Sequence, residues 1–162
     1  MVSGKGSQPA SAERRLQEVG IELTPPPTPF GAYVEAVQTG NLLFLSGMLP
    51  AIGHEPTFVG RLGKELDANA GREAVRVAAL NVLSAARHKL GSLDKVTRVV
   101  RLCVYLATYG DFFDQPKVAD AASELFRDVF GAGKTSVRMV LGVASLPLGM
   151  PVAVEVIMEV ET

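Results

Sequence analysis

Residues 69–90 show the clearest periodicity in the sequence. Small and apolar side chains recur at three- and four-residue spacing from Ala74 to Ala86, and charged side chains occupy the other sides. Gly91 follows directly, and glycine often ends helices because it adopts the left-handed conformation without strain. We therefore predict a helix over residues 69–90, with one face buried against another layer of the protein.

Strand-like segments lie on both sides of this helix. Runs of β-branched and apolar residues predict strands at residues 33–38, 41–47, 96–107, 136–144 and 152–160, with a weaker candidate at 57–63. Further helices are predicted at residues 11–20 and 112–130, and the prolines of residues 24–29 predict an extended connector. The two longer helices and a mostly antiparallel sheet define an α+β fold. We expect a flexible tail over residues 1–10 and a single domain over residues 11–162.

Composition excludes several classes of protein. The 162 residues carry a formal net charge of -1 and no basic run, so the bulk charge argues against nucleic acid as a partner. No apolar stretch is long enough to span a bilayer, and residues 1–11 lack the apolar core of a signal peptide. The single cysteine, Cys103, cannot form an internal disulfide. These features predict a cytoplasmic protein that makes no membrane contact.

Metal and thiol chemistry have little support in the sequence. His54 and His88 are far apart and have no ligand-spaced cysteine or carboxylate beside them, so we expect no metal site. Cys103 lies inside an apolar strand without a cationic neighbour in sequence, which is more typical of a core residue than of a nucleophile.

Arg138 is the residue that most needs an explanation. It stands in a segment, residues 136–144, that otherwise predicts a buried strand, and that segment contains no carboxylate. A guanidinium on an apolar strand is costly unless an anion meets it. The anion is either the carboxylate of a bound ligand or a carboxylate on another subunit. Glu155 lies on the last predicted strand, which we expect to neighbour the strand of Arg138.

Three separated segments, in this order, resemble the Rid (YjgF) family. Residues 30–50, FGAYVEAVQTGNLLFLSGMLP, are similar to its N-terminal signature, in which G-x-Y is followed by a strand and S-G-Q-x-P. Residues 142–156, GVASLPLGMPVAVEV, with Arg138 nine residues before Pro147, are similar to its C-terminal signature of R-x-x-x-x-V-A-x-L-P and a strand ending in E-I-E. Residues 111–134 resemble the longer-helix, endoribonuclease L-PSP-like branch of the family.

The resemblance implies a chorismate-mutase-like α+β fold and a homotrimer with a cleft between each pair of subunits. Characterised members hydrolyse reactive enamines and imines, such as 2-aminoacrylate, to keto acids and ammonia, which requires no metal or organic cofactor. The alternative function is a trimeric protein that senses a small carboxylate-bearing metabolite without turning it over. Other members are described as RNA-cleaving or translation-inhibiting proteins, and the near-neutral charge places this activity third.

The resemblance also assigns residues to the cleft. Arg138 falls on the arginine that binds the substrate carboxylate, and Tyr33, Ser46 and Gly47 match residues that line the cleft. Asp120 falls where this branch commonly has asparagine, and we count it among the substrate-binding positions.

Two further departures concern the groups that would do the chemistry. Met48 stands where the family usually has glutamine. A gapless alignment from Pro147 places Ala153 on the first glutamate of E-I-E, the usual acid-base position, and Glu155 on the second; two extra residues in PLGMP would instead place Glu155 on the first. Residues two apart in a strand share a face at about 6.6–6.8 Å, so Glu155 is predicted to point the same way as Ala153, one pleat away. Glu155 is the candidate acid-base residue, acting directly or through a water molecule; a contact between subunits is the other interpretation.

Overall fold

The computed structural model describes residues 10–162, so all but the last position of the predicted tail lies outside the described residues. The helices are α1 Ala12–Glu18, α2 Ala68–Leu90 and α3 Gln115–Phe130. The strands are β1 Ala36–Thr39, β2 Leu42–Met48, β3 Ala51–Ile52, β4 Glu55–Pro56, β5 Val96–Ala107, β6 Val137–Val143 and β7 Val152–Val160.

Five of these strands form one sheet in the order β1-β2-β7-β5-β6. Neighbouring strands are antiparallel except β5 and β6, which run parallel because α3 connects them as a crossover. α2 and α3 pack side by side over one face of the sheet, and β3 and β4 form a separate hairpin. The predicted α+β fold, with two long helices on a mostly antiparallel sheet, is confirmed.

Flanking residues explain where α2 begins and ends. The Asp67 carboxylate accepts a hydrogen bond from the Ala70 N–H at 2.8 Å, which caps the first turn. Gly91 adopts a φ of 84° after the last turn and donates its N–H to the Arg87 carbonyl at 2.8 Å. The predicted helix over residues 69–90 is therefore confirmed within one residue, and its small-residue face is buried against the sheet.

The sheet has two different faces. We call the face covered by α2 and α3 the helix face, and the opposite one the open face. Along β7 the buried side chains point to the helix face: Val152, Val154, Val156, Met158 and Val160. The alternating, half-buried side chains point to the open face: Ala153, Glu155, Ile157 and Glu159. Glu155 and Ala153 therefore share the open face.

Two predicted strands differ from the structure. Residues 57–63 form no strand, because Gly60 and Gly63 adopt φ values of 126° and 88°, which extended strands do not accommodate. Only Leu62 in this segment makes isolated bridges, to Leu66 and Thr108. The strand predicted at 33–38 begins only at Ala36.

The burial and the neighbouring strand predicted for the strand around Arg138 were also wrong. Residues 136–144 were predicted to be buried, but β6 is an edge strand, and Val137, Met139 and Leu141 are 70%, 48% and 43% exposed. The expected neighbour of β6 is wrong too, because β5 lies between β6 and β7. An apolar run of residues does not show whether its strand lies in the centre or at the edge of the sheet, since the order of strands depends on distant pairings.

Gly71 allows α2 and α3 to pack closely. A Cβ at this position would lie 2.8 Å from Leu62 Cδ2 and 3.0 Å from Val118 Cγ1. We expect Gly71→Val to lower the free energy of unfolding, measured by urea denaturation, by about 1–3 kcal/mol because the added methyl groups force these neighbours apart. Glu73→Val, at an exposed position of the same helix, controls for the β-branched side chain and should cost about 0.5 kcal/mol or less. Equal losses in the two variants would contradict this account.

Candidate functional site

Three of the residues assigned by resemblance lie around one groove on the molecule. Tyr33, Ser46 and Gly47 line an open groove of about 440 Å³. The other lining residues are Phe30, Leu49, Pro147 and Ala153. The groove thus brings the N-terminal segment around Tyr33 together with β2 and the start of β7. It also contains Ala153, which the gapless alignment places at the acid-base position.

A β-bulge shapes the floor of this groove. Leu45 pairs with Val156 and Met48 pairs with Val154, so β2 has one residue more than β7 between these pairs. Ser46 and Gly47 therefore stand together opposite the single residue Glu155. Bulges of this kind redirect side chains and are common beside active sites. The bulge places Glu155 next to two groove residues, although the groove itself ends at Ala153.

Side-chain hydrogen bonds hold the groove residues in place. The Ser46 hydroxyl donates to the Val34 carbonyl at 2.6 Å, which ties the bulge to the segment that precedes β1. The Tyr33 hydroxyl oxygen accepts from the Phe30 N–H at 3.1 Å, and the Tyr33 residue is 46% exposed. The Phe30 ring in turn stacks on His54, with ring centroids 4.4 Å apart. The Tyr33 ring is therefore held at the rim of the groove while its hydroxyl can still donate.

Asn81 anchors the groove from inside the core. It lies on α2 with only 5% exposure, and its Nδ2 donates to the carbonyls of Leu49 and Ala51 at 2.9 and 2.8 Å. These bonds fix the segment that leaves β2 and forms one wall of the groove. Asn81 lies between Ala74 and Ala86 on the predicted helix and has no role in the sequence analysis. Its signal is an amide among the small and apolar side chains of that helix, since a buried amide needs partners.

The Met48 side chain does not reach the groove. It is 4% exposed and belongs to the hydrophobic core beneath the sheet. Met48, which stands where the similar motif has glutamine, therefore extends the core at the end of β2.

Glu155 lies in a row of side chains across the open face. Its neighbour on β5 is Cys103, which is 1% exposed, and Cys103 is paired in turn with Met139 on β6. The next row contains Tyr105 beside Ala153. The Cys103 side chain first, and then burial and the charge of Glu155, raise the pKa of Tyr105 above its usual value. The Tyr105 hydroxyl therefore stays protonated to a higher pH than an ordinary tyrosine.

Arg138 lies on the other side of the sheet. It pairs with Leu102 in the parallel β5–β6 ladder, and so it points to the helix face near α3. Its Nη1 donates to Asp120 Oδ1 at 2.6 Å and to Ser123 Oγ at 3.2 Å. The expectation that its anion must come from a ligand or another subunit is thus incomplete, because α3 of the same chain supplies a carboxylate. Its side chain is 27% exposed, which the edge position of β6 permits.

Within one chain, the groove and Arg138 are separate. Three strand spacings of about 4.8 Å, roughly 14 Å, lie between β2 and β6, and Arg138 points away from the open face. Tyr33, Ser46 and Gly47 form one group with Glu155 beside them, and Arg138 and Asp120 form the other. A small ligand bound in the groove of one chain therefore does not reach Arg138 of the same chain.

Glu35 is a carboxylate that the sequence analysis did not single out. It lines a small recess with Tyr33, Gly47 and Leu49, which also line the groove. Burial raises the pKa of Glu35, and the positive charge of His88 offsets part of this effect. A partly buried carboxyl beside a groove is a second candidate for proton transfer.

Residues 10–162 contain no group of three or more histidine, cysteine, aspartate or glutamate side chains placed to hold a metal ion. None of the helices in this range is long and apolar enough to cross a membrane.

The fold and the groove define a class of protein, and comparison with known proteins identifies it. Residues 13–160 match the family model described as "YjgF/chorismate_mutase-like, putative endoribonuclease". The chain belongs to this YjgF/chorismate-mutase-like family, as its sequence motifs indicated. It is 39% identical over 146 residues to Protein TCP17 of Trypanosoma cruzi, covering 89% of this chain and 91% of that protein.

Two further relatives bear on function and fold. The chain is 28% identical over 135 residues to a 2-iminobutanoate/2-iminopropanoate deaminase of Dermatophagoides farinae, covering 83% of this chain and 91% of that protein. The crystal structure of Atu1372 from Agrobacterium tumefaciens, a protein of unknown function, superposes with a TM-score of 0.84 at 32% identity, covering 93% of this chain and 92% of that one.

Proposed function

We propose that this protein hydrolyses imines and enamines of small 2-amino acids, such as 2-aminoacrylate and 2-iminobutanoate, to keto acids and ammonia. The observation that carries the proposal is the groove of Tyr33, Ser46 and Gly47, with Glu155 opposite its bulge. The relative named 2-iminobutanoate/2-iminopropanoate deaminase matches this chain over most of its length, which supports the same reaction class.

The proposal includes assembly as a homotrimer, because Arg138 and the groove are separate in one chain. In the trimer, β6 of one protomer lies against the groove of its neighbour and brings Arg138 to the ligand. The exposed apolar side chains of Val137, Met139 and Leu141 along β6 support this, since an uncovered apolar edge strand promotes association. We expect a solution mass of three times 17.2 kDa by light scattering. A monomeric mass at working concentration would exclude a site shared between protomers.

The proposed chemistry divides the roles between the two groups. The Arg138 guanidinium binds the substrate carboxylate, and the Tyr33 hydroxyl and the bulge at Ser46–Gly47 orient the ligand. Glu155 transfers protons between water and the reacting nitrogen and carbon. An enamine first gains a proton on carbon to give the iminium. Water then adds to the C=N carbon, and collapse of the adduct releases ammonium and leaves the ketone.

The proposal needs no cofactor, and it places the reaction in the cytoplasm.

A coupled assay tests the proposal. A dehydratase generates 2-aminoacrylate from serine, and the release of pyruvate and ammonia is followed with and without this protein. We expect the protein to accelerate hydrolysis above the buffer rate, and Glu155→Gln to reduce that acceleration about 10²-fold because general acid–base help is lost. Glu35→Gln is the matched control, since it removes the second carboxyl near the groove. Wild-type rates equal to buffer would reject the enzyme. A loss with Glu35→Gln alone would move the acid-base role from Glu155 to Glu35.

A second candidate function has its own supporting observation. In the gapless alignment Ala153 stands at the family's acid position, and it lines the groove with a methyl group. Met48, at the family's glutamine position, is buried in the core, so two polar groups would be absent from the groove. A protein that binds a small carboxylate without converting it is compatible with this surface. Binding of 2-oxobutanoate measured by calorimetry, together with no acceleration of imine hydrolysis in the coupled assay, would favour this function.

A further inference from the structure

Asp120 and Ser123 engage only one nitrogen of Arg138. Nη1 donates both hydrogen bonds, to Asp120 Oδ1 at 2.6 Å and to Ser123 Oγ at 3.2 Å. A guanidinium carries five N–H donors, and its Nε–Nη2 edge presents two parallel ones. Within residues 10–162 this edge makes no hydrogen bond. Arg138 is therefore held in position by α3 while a bidentate edge remains for an external carboxylate.

The Asp120 carboxylate also changes the charge that a ligand meets. An isolated arginine would offer a net positive charge to a substrate carboxylate, but the Asp120–Arg138 pair is neutral. A ligand that brings only a carboxylate adds an unbalanced negative charge to this neutral pair. A ligand with an iminium or ammonium nitrogen beside its carboxylate brings its own positive charge, which the Asp120 carboxylate attracts.

We propose that Asp120 is the specificity-determining residue of the site, because it positions Arg138 and selects ligands that carry a cationic nitrogen next to the carboxylate. This inference rests on the proposed function in one respect, that Arg138 binds the ligand carboxylate. The reaction C=NH₂⁺ + H₂O → C=O + NH₄⁺ takes the positive charge off the ligand. Asp120 then disfavours the bound keto acid, so the same residue that favours the substrate promotes release of the product.

Two probes with the same carbon skeleton but a different charge at the C2 substituent test this selection. 2-Aminobutanoate is zwitterionic and 2-oxobutanoate is a simple anion, while both have the same carbon skeleton and carboxylate. We expect the wild type to bind 2-aminobutanoate about tenfold more tightly by calorimetry, the size expected for one charge pair near a protein surface. Asp120→Asn keeps an oxygen for Arg138 Nη1 but removes the charge, and should bring the two affinities within about twofold. Asp120→Glu keeps the charge and should retain the preference.

Asp128→Asn is the matched control, because it makes the same charge change on the same helix at a side chain that is 53% exposed. It should leave the tenfold preference unchanged. In the coupled assay, Asp120→Asn should strengthen inhibition by added 2-oxobutanoate about tenfold, whereas Asp120→Glu should leave this inhibition close to the wild-type value. A merely structural defect would instead weaken the binding of 2-oxobutanoate and 2-aminobutanoate alike.

The outcomes separate this inference from the proposed function. If Asp120→Asn loses the preference for 2-aminobutanoate and the wild type hydrolyses no imine, the proposed enzymatic function is rejected. The role of Asp120 in selecting ligands is then supported. A preference that persists in Asp120→Asn would overturn the inference even if the wild type is an active deaminase. Failure of the wild type to bind either probe would overturn it as well.

Discussion

Arg138→Ala is expected to reduce kcat/KM for imine hydrolysis by about 10²–10⁴-fold. Each hydrogen bond to a charged group contributes about 1.5–3 kcal/mol, and a bidentate carboxylate contact contains two of them. The fold should not suffer, because the Arg138 side chain is 27% exposed and its ion pair with Asp120 is of the kind that contributes about 0–1 kcal/mol. Steady-state kinetics in the coupled assay and a urea denaturation curve measure the two effects on one preparation.

The matched control for Arg138 is Arg127→Ala. Arg127 lies on α3 beside Asp128, with 55% of its side chain exposed, and it carries the same charge. We expect its kcat/KM to remain within about twofold of the wild type, since exposed charges contribute little. Arg138→Lys should recover only part of the activity, because an ammonium cannot present two parallel N–H groups. If the kcat/KM of Arg138→Ala is close to the wild-type value, Arg138 does not bind the substrate.

The helices and most of the strands could be predicted because their signals are local. The alternation of β7 and the periodicity and cap of α2 depend on neighbouring residues, and both elements appear within one residue of their predicted bounds. The position of β6 could not be predicted in this way. Its pairing with β5 joins residues 36 apart in sequence, such as Leu102 and Arg138, and nothing within β6 specifies which strand lies beside it.

The candidate site was predictable in its parts but not in its arrangement. Motif resemblance named Tyr33, Ser46 and Gly47, and the structure brings these three together. It also named Asp120 and Arg138, but it did not show that they contact each other. That contact follows from the crossover, since α3 leads from β5 into β6 and lies over the strand it precedes.

Asn81→Leu is expected to lower the free energy of unfolding by about 2–4 kcal/mol. Leucine has a similar size, so the main loss is that of the two hydrogen bonds from Nδ2 to the carbonyls of Leu49 and Ala51. Leu49 and Ala51 are 8% and 1% exposed, so water does not readily replace the amide. Urea denaturation measures the loss. Hydrogen exchange in residues 49–53 should also accelerate, because these bonds connect that segment to α2.

Ser84→Ala provides the comparison, since Ser84 is another polar residue buried on α2, with 4% exposure. It leaves both Asn81 bonds intact, and we expect a loss of about 1 kcal/mol or less. Because Asn81 holds the wall of the groove, Asn81→Leu should also raise KM in the coupled assay under conditions where the variant is fully folded. Unfolding free energies within 1 kcal/mol of each other in the two variants would show that the 49–51 segment is held by other contacts. The groove would then owe its shape to the Ser46–Gly47 bulge rather than to its anchor in the core.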